Sequence, residues 1–172
     1  MCSVKSLVDP SSSSKNLVRA AWDRLQKFPG GKRAFSRLAG IAAPYTGTIG
    51  GQVKVLRRGH ATVELRDRRA VRNHLSSVHA IALANLAELT GNIAVAYTLP
   101  DDARFIVAGI SVEYLKKARG TITGTCDCPL IDSNERQEYA IEVGLRDRAG
   151  DEVAHATLRT LVGPKKEARA RE

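Results

Sequence analysis

The stretch Asn73-His-Leu-Ser-Ser-Val-His79-Ala-Ile-Ala-Leu-Ala-Asn-Leu-Ala-Glu88, running on without a break to Leu99, decides how this chain is read. Between His79 and Leu99 the ionisable side chains are His79 itself, Tyr97 and a single carboxylate, Glu88; the rest are Ala, Leu, Ile and Val with a few Asn, Thr and Gly. A helix that is apolar on most faces belongs in a core, and a carboxylate carried into a core is costly unless something there pairs with it. The pattern predicts a helix over about 77–97, capped by Ser76 or Ser77, weakened locally by Gly91 and ended by Leu99-Pro-Asp-Asp102. Glu88 is therefore the first candidate for function. Its structural alternative is an acid tied to Asn85 or to a group on a partner chain.

Outward from that helix, both flanks fall into regular elements. Residues 1–14 end in Ser11-Ser-Ser-Ser14 and read as a flexible leader. Residues 15–44 read as a helical extension. In it Leu17, Val18, Ala21, Trp22, Leu25 and Phe28 recur at helical spacing up to Pro29-Gly30-Gly31. A shorter helix follows, with Phe35 and Leu38 on one side and an end near Gly40. Both helices have basic outer faces, and packing as a cover on the core is favoured over lying on a membrane. Beyond Pro44 the period changes to two, giving strands over 48–57 and 61–66 around the turn Arg58-Gly59-His60. After the helix, strands are expected over 104–116, 121–128, 136–145 and 152–162. Tyr139, Ile141, Val143 and Leu145 alternate there with Glu142, Gly144 and Arg146, and Arg148-Ala-Gly-Asp151 is a tight-turn sequence.

Strands joined by short connections predict an antiparallel meander. Without alternating helix–strand units or a Gly-rich phosphate loop, a nucleotide-binding α/β fold is excluded. The architecture implied is α+β: a sheet of about six antiparallel strands curved around one helix that is apolar on more than one stripe. Ala80, Ala82, Ala84, Ala87, Ala94 and Ala96 permit close approach of sheet and helix. The expected domain is 45–163, followed by a basic tail over 164–172.

The 172 residues suit one domain with a proper core. The stretch 78–99 carries His, Glu and two Asn, against a membrane span, and the N-terminus lacks a signal-peptide pattern, so a cytoplasmic protein is expected. Three cysteines, two of them flanking Asp127, offer neither a disulfide framework nor a metal site. Lys and Arg outnumber Asp and Glu by 27 to 18, which points to an anionic partner: nucleic acid, an acidic membrane or a phosphate-bearing small molecule. The cations are scattered and do not interleave with aromatics as in a base-stacking platform, so nucleic acid is disfavoured. His60, His74 and His155 read as structural. Ser76 and Ser77 beside His79 lack a nucleophile elbow.

Asn73, His79 and Glu88 stand at the spacing Asn-x5-His-Gly-Gly-x6-Asp/Glu. In this the chain resembles the hot-dog-fold acyl-CoA thioesterases, particularly the phenylacetate-pathway type. Tyr114-Leu-Lys-Lys-Ala118 resembles that family's Tyr-Leu-x-Pro-Ala segment, and the likeness covers roughly 45–163. Three departures stand out: Ala80-Ile81 replaces Gly-Gly, the acid is Glu rather than Asp, and Val107 falls where a Ser or Thr is often found. The resemblance implies a hot-dog fold and hydrolysis of an acyl-CoA or related acyl thioester, without a cofactor or metal. The assembly expected is a homodimer or a tetramer of dimers.

Glu88 would be the base or nucleophile, the Ala80 N–H an oxyanion donor, and Asn73 a positioner of water or substrate. His79 is either catalytic or only a hydrogen-bonding group near the helix start. Nine residues of helix put His79 and Glu88 about 13 Å apart along the axis. They do not readily serve one carbonyl within a subunit, and the resemblance implies that Asn73 and Ala80 of one subunit face Glu88 of another. Coenzyme A phosphates would be held by Lys116, Lys117 and Arg119, or by Arg68, Arg69 and Arg72. The alternative function is a non-catalytic acyl-ligand binding or sensing module on the same fold.

Overall fold

A computed structural model describes residues 15–165; the expected leader (1–14) and residues 166–172 of the basic tail lie outside the described residues. Helix α1 (Leu17–Leu25) starts at Asn16, whose side chain accepts from the Arg19 N–H at 3.0 Å. The Asn16 amide then donates to the carbonyls of Ala96 at 2.7 Å and Leu99 at 3.1 Å, and Arg19 donates to those of Tyr97 and Leu99. These are the carbonyls at the end of the central helix that have no partner within it. Helix α2 (Gly31–Ala42) runs two residues past Gly40, and a single turn, α3 (Pro44–Gly47), begins at Pro44 where extended chain was expected. Trp22 and Phe35 are buried edge to face, with centroids 5.1 Å apart, so the N-terminal helices do cover the core. Phe28, beyond the end of α1, and Leu38 are instead exposed.

The strands are β1 (Gln52–Arg57), β2 (His60–Leu65), β3 (Ala103–Tyr114), β4 (Ile122–Asp127), β5 (Gln137–Arg146) and β6 (Glu152–Pro164). They form one antiparallel sheet in the order β1-β2-β4-β5-β6-β3. The expected meander holds only for β4–β5–β6. β3 crosses to the far side of β6, and β4 returns to pair with β2. Length explains the choice: the 12 residues of β3 match the 13 of β6 in a ladder from Ala103↔Pro164 to Tyr114↔Ala154, whereas β4 has only 6.

Helix α4 (Ala80–Thr98) lies against this sheet. By length and composition it could cross a bilayer, but the sheet curves around it. Leu83, Leu86, Ala87, Ile93, Ala94 and Val95 are buried against inward residues such as Val63, Ile122, Ile141, Val143 and Leu158. This is the hot-dog arrangement. Of the six alanines expected to permit close approach, Ala82, Ala87 and Ala94 are buried, while Ala80, Ala84 and Ala96 are half-buried. Two glycines set the spacing. A Cβ on Gly91 would sit 2.2 Å from Leu158 Cδ1, and one on Gly124 of β4 would sit 2.6 Å from Thr90 Oγ1. Gly91 thus matters as a contact surface on α4.

The start of α4 differs from expectation. Val78 N–H donates to Ala118 O and His79 N–H to Val71 O, both at 2.8 Å, which keeps 78–79 extended. Ser76 has φ 54° and caps nothing. The cap is His79, whose Nδ1 accepts from the Ile81 N–H at 3.1 Å.

The sheet has two terminal strands. At β1, the Val53 N–H donates to the buried Ser36 Oγ at 2.9 Å and Lys32 Nζ to Lys54 O at 2.7 Å, so α2 covers that edge. At β3, no described strand lies beyond, and Ile106 and Ile110 are 65% and 46% exposed.

Candidate active site

The site is built around the first turn of α4. Asn73 Oδ1 accepts from the N–H groups of Leu75 (2.9 Å) and Ser77 (3.2 Å) and from Ser77 Oγ (3.1 Å), closing the 73–77 loop. Its amide nitrogen donates to no described residue. From the far side, Tyr114 Oη donates to Ala80 O at 3.1 Å, so the 114–118 segment braces the helix start through both Tyr114 and Ala118. Asp67 ties the preceding loop down, accepting from Arg72 Nε at 2.6 Å and from the Gly120 N–H at 2.9 Å. The Arg72 guanidinium holds the Asp67 carboxyl below the usual carboxylate range, against the opposing effect of burial. The Ala80 N–H is one of the first-turn donors that a helix cannot pair within itself, at the positive end of its dipole.

Glu88 lies two and a half turns further on. It is half-buried rather than sunk in the core, which corrects the expectation of a fully buried acid. The physical reason is that α1 and α3 cover the two ends of α4, leaving an open stripe through Ile81, Ala84, Glu88 and Asn92. Glu88 has no hydrogen bond or ion pair with any described residue. It is not tied to Asn85, whose amide donates instead to Tyr45 O at 3.3 Å. Within one chain the structure does not bring Glu88 to Asn73, His79 and Ala80, which share the opposite end of the stripe.

A cleft of about 210 Å³ opens beside the helix start, bordered by Tyr45, Val71, His79, Ile81 and Asn85. Asn85 Oδ1 is buried with no hydrogen-bond partner among the described residues. Such an orphan is uncommon and marks a candidate contact for a ligand donor. Sequence reasoning weighed Asn85 only as a partner for Glu88; its position three residues before that acid on the same face was the signal available.

Of the expected phosphate ligands, Lys116 is held by Asp147 (2.9 Å) and Asp151 (2.5 Å), and Arg72 by Asp67. Lys117 and Arg119 are exposed with no described partner, and Arg68 donates to Thr48 O at 2.9 Å. His60 bonds Asp127 across β2–β4, while His155 bonds Glu142 and Glu152 on β5 and β6. These pairs belong to the sheet surface. Cys126 and Cys128 are buried, and a hydrogen bond to Cys128 together with burial pushes the Cys126 thiol far up. Among the described residues no three His, Cys, Asp or Glu side chains gather to hold a metal ion.

The family described as a domain of unknown function, DUF4442, matches residues 31–162. No curated protein matches the chain. A genomics crystal structure is 32% identical and covers 86% of this chain and 98% of its own, with a TM-score of 0.75. A Pseudomonas aeruginosa protein of unknown function, described as a probable thioesterase, is 22% identical over 80% of this chain and 97% of its own, with a TM-score of 0.70. A putative thioesterase from Ralstonia eutropha, described as related to phenylacetic acid degradation, is 21% identical over 69% and 89%, with a TM-score of 0.59. These neighbours share the hot-dog architecture.

Proposed function

Taking as premise that the chain belongs to the DUF4442 family, we propose that it hydrolyses an acyl-CoA or related acyl thioester as a cytoplasmic homodimer. The observation that carries this reading is Glu88: a half-buried carboxylate on the central helix without a structural partner among the described residues. It is the one carboxylate on an otherwise apolar helix, and its side chain is left available to a ligand or a partner subunit.

In the mechanism, the thioester carbonyl points at the Ala80 N–H. A preorganised donor of this kind contributes about 3–4 kcal/mol to the transition state. The amide nitrogen of Asn73, free while its oxygen holds the loop, positions water or substrate. Glu88 of the partner subunit takes a proton from that water as its oxygen attacks the carbonyl carbon, and on breakage of the C–S bond returns the proton to the departing thiolate. In the direct route Glu88 itself attacks, the thiolate leaves with a proton from water, and a second step hydrolyses the acyl–Glu anhydride. General-base assistance supplies about 10²–10⁴-fold. His79 acts through its cap on Ile81, fixing the turn that presents the Ala80 amide.

Support for the dimer comes from β3, whose 12-residue edge has no described neighbour beyond it and carries exposed Ile106 and Ile110. A long bare edge is a template for another strand. Thiol release from short, medium, long and aromatic acyl-CoAs tests the reading. Wild-type protein turns over at least one class, and Glu88→Ala abolishes that turnover.

A second reading, a non-catalytic acyl-binding module, draws on Ile81, which replaces a glycine of the resembling family and is 54% exposed beside the site. It expects tight acyl-CoA binding with no turnover.

A further inference from the structure

On the face of the sheet turned away from α4, α2 and the β1–β2–β4 end enclose a groove of about 990 Å³. Lys32, Arg33 and Arg37 of α2 line it, with Arg66 and Arg68 from the far wall. The single carboxylate lining it, Glu64, is already taken by Lys54 at 2.8 Å. The guanidinium groups of Arg33, Arg37 and Arg66 have no hydrogen bond or ion pair with any described residue. Lys32 and Arg33 also sit in the first turn of α2, which holds no acid and gets no side-chain cap from Gly30. Positive charge there opposes the helix dipole. Lys32 is compensated there by its bond to Lys54 O, whereas the Arg33 guanidinium has no described partner, and a local rule broken without compensation points to function.

The groove does not end in polar surface. It shares Arg37, Gly50, Gln52 and Val53 with a second cleft of about 520 Å³ between α2–α3 and β1. That cleft is apolar, walled by Ala39, Gly40, Pro44 and Gly47, and it reaches α4 at Leu89, the residue after Glu88. Charge and grease thus adjoin, with the Arg37 side chain lining both clefts.

We propose that these adjoining clefts bind a single-chain anionic amphiphile. Its phosphate-bearing head lies against Arg33, Arg37 and Arg66, and its chain lies in the cleft between α2–α3 and β1. Guanidinium groups suit phosphate through paired, charge-assisted hydrogen bonds, and clefts of this size suit small ligands. Naming the amphiphile as an acyl-CoA rests on the thioesterase reading; the binding does not.

Equilibrium titration of the whole chain with lauroyl-CoA, CoA and laurate tests the site. Lauroyl-CoA is expected to bind at least about tenfold more tightly than either part alone. The double variant Arg37→Glu/Arg66→Glu, both exposed positions outside the Glu88 machinery, should weaken lauroyl-CoA and CoA about tenfold or more and flatten the salt dependence. Ala39→Trp should remove the advantage of the chain while leaving CoA binding intact. Unchanged affinity in the charge-reversed protein overturns the site, as does binding to phosphatidylglycerol vesicles without binding to monomeric lauroyl-CoA. Arginine-dependent binding with no hydrolysis upholds the site and sinks the thioesterase. Hydrolysis with an unaltered KM in Arg37→Glu/Arg66→Glu does the reverse.

Discussion

At β1 the chain lays a 12-residue helix along the six-residue outermost strand and satisfies its backbone from Ser36 and Lys32; at β3 a 12-residue strand is left bare among the described residues, with isoleucines on it. An edge that the chain closes by itself needs no second molecule. An edge left open over 12 residues invites one, and in the proposed dimer that is the edge at which Glu88 meets its partner's helix start. The helices that cover β1 also build the basic groove, so in the two proposals the ends of the sheet divide the work: one for ligand charge, the other for assembly.

The largest effect should come from the site that needs the open edge. Glu88→Ala should lower kcat about 10²–10⁴-fold. Mixed dimers of Glu88→Ala with Asn73→Ala should recover part of that loss, because one of their two sites is then intact. Recovery absent from mixed subunits would place both residues in the same chain's site. Next, Ile106→Lys/Ile110→Lys should convert dimer to monomer by light scattering and take hydrolysis with it, since charged edges repel pairing. An active monomer would end the comparison.

At the closed edge the effect should be smaller and of a different kind. Ser36→Ala leaves the buried Val53 N–H without its acceptor and should cost about 1–3 kcal/mol in denaturant unfolding, with oligomeric state and kcat unchanged. The smallest effect lies on β6, the strand beside β3, where the carboxylates of Glu142 and Glu152 raise the His155 pKa above its ordinary 6.5. A raised folded-state pKa adds stability that is full below 6.5 and lost as pH rises through the folded value. The gap in Tm between wild type and His155→Gln should therefore be open at low pH and close at high pH. A gap that grows with pH would refute the assignment.

Strand boundaries were legible in the sequence to within a few residues, because alternation at positions such as Ile141, Val143 and Leu145 reflects burial directly. The order of the strands was not. Neighbours in sequence favour hairpins, and nothing local in β3 announces that its best partner is the long β6. The helix start was misplaced from Ser77 to Ala80 because Val78 and His79 are held by Ala118 and Val71, contacts that exist only after folding.

At the site, Asn73, Ala80 and Glu88 were legible as a pattern. The openness around Glu88 was not, because it depends on where α1 and α3 stop. Lys116 looked free because its partners, Asp147 and Asp151, lie more than thirty residues away across a loop. The groove cations were invisible as a set for the same reason, being scattered over α2 and the loop that follows β2.

The contact of Gly91 with Leu158, and of Gly124 with Thr90, makes the middle of the molecule a wall and not a corridor. A long acyl tail finds no passage between rod and sheet at that level, and any room for it lies towards the ends. In the proposed thioesterase, selectivity for tail length would then rest on residues 15–47, and swapping that segment between relatives, with the sheet and Glu88 left untouched, should exchange it.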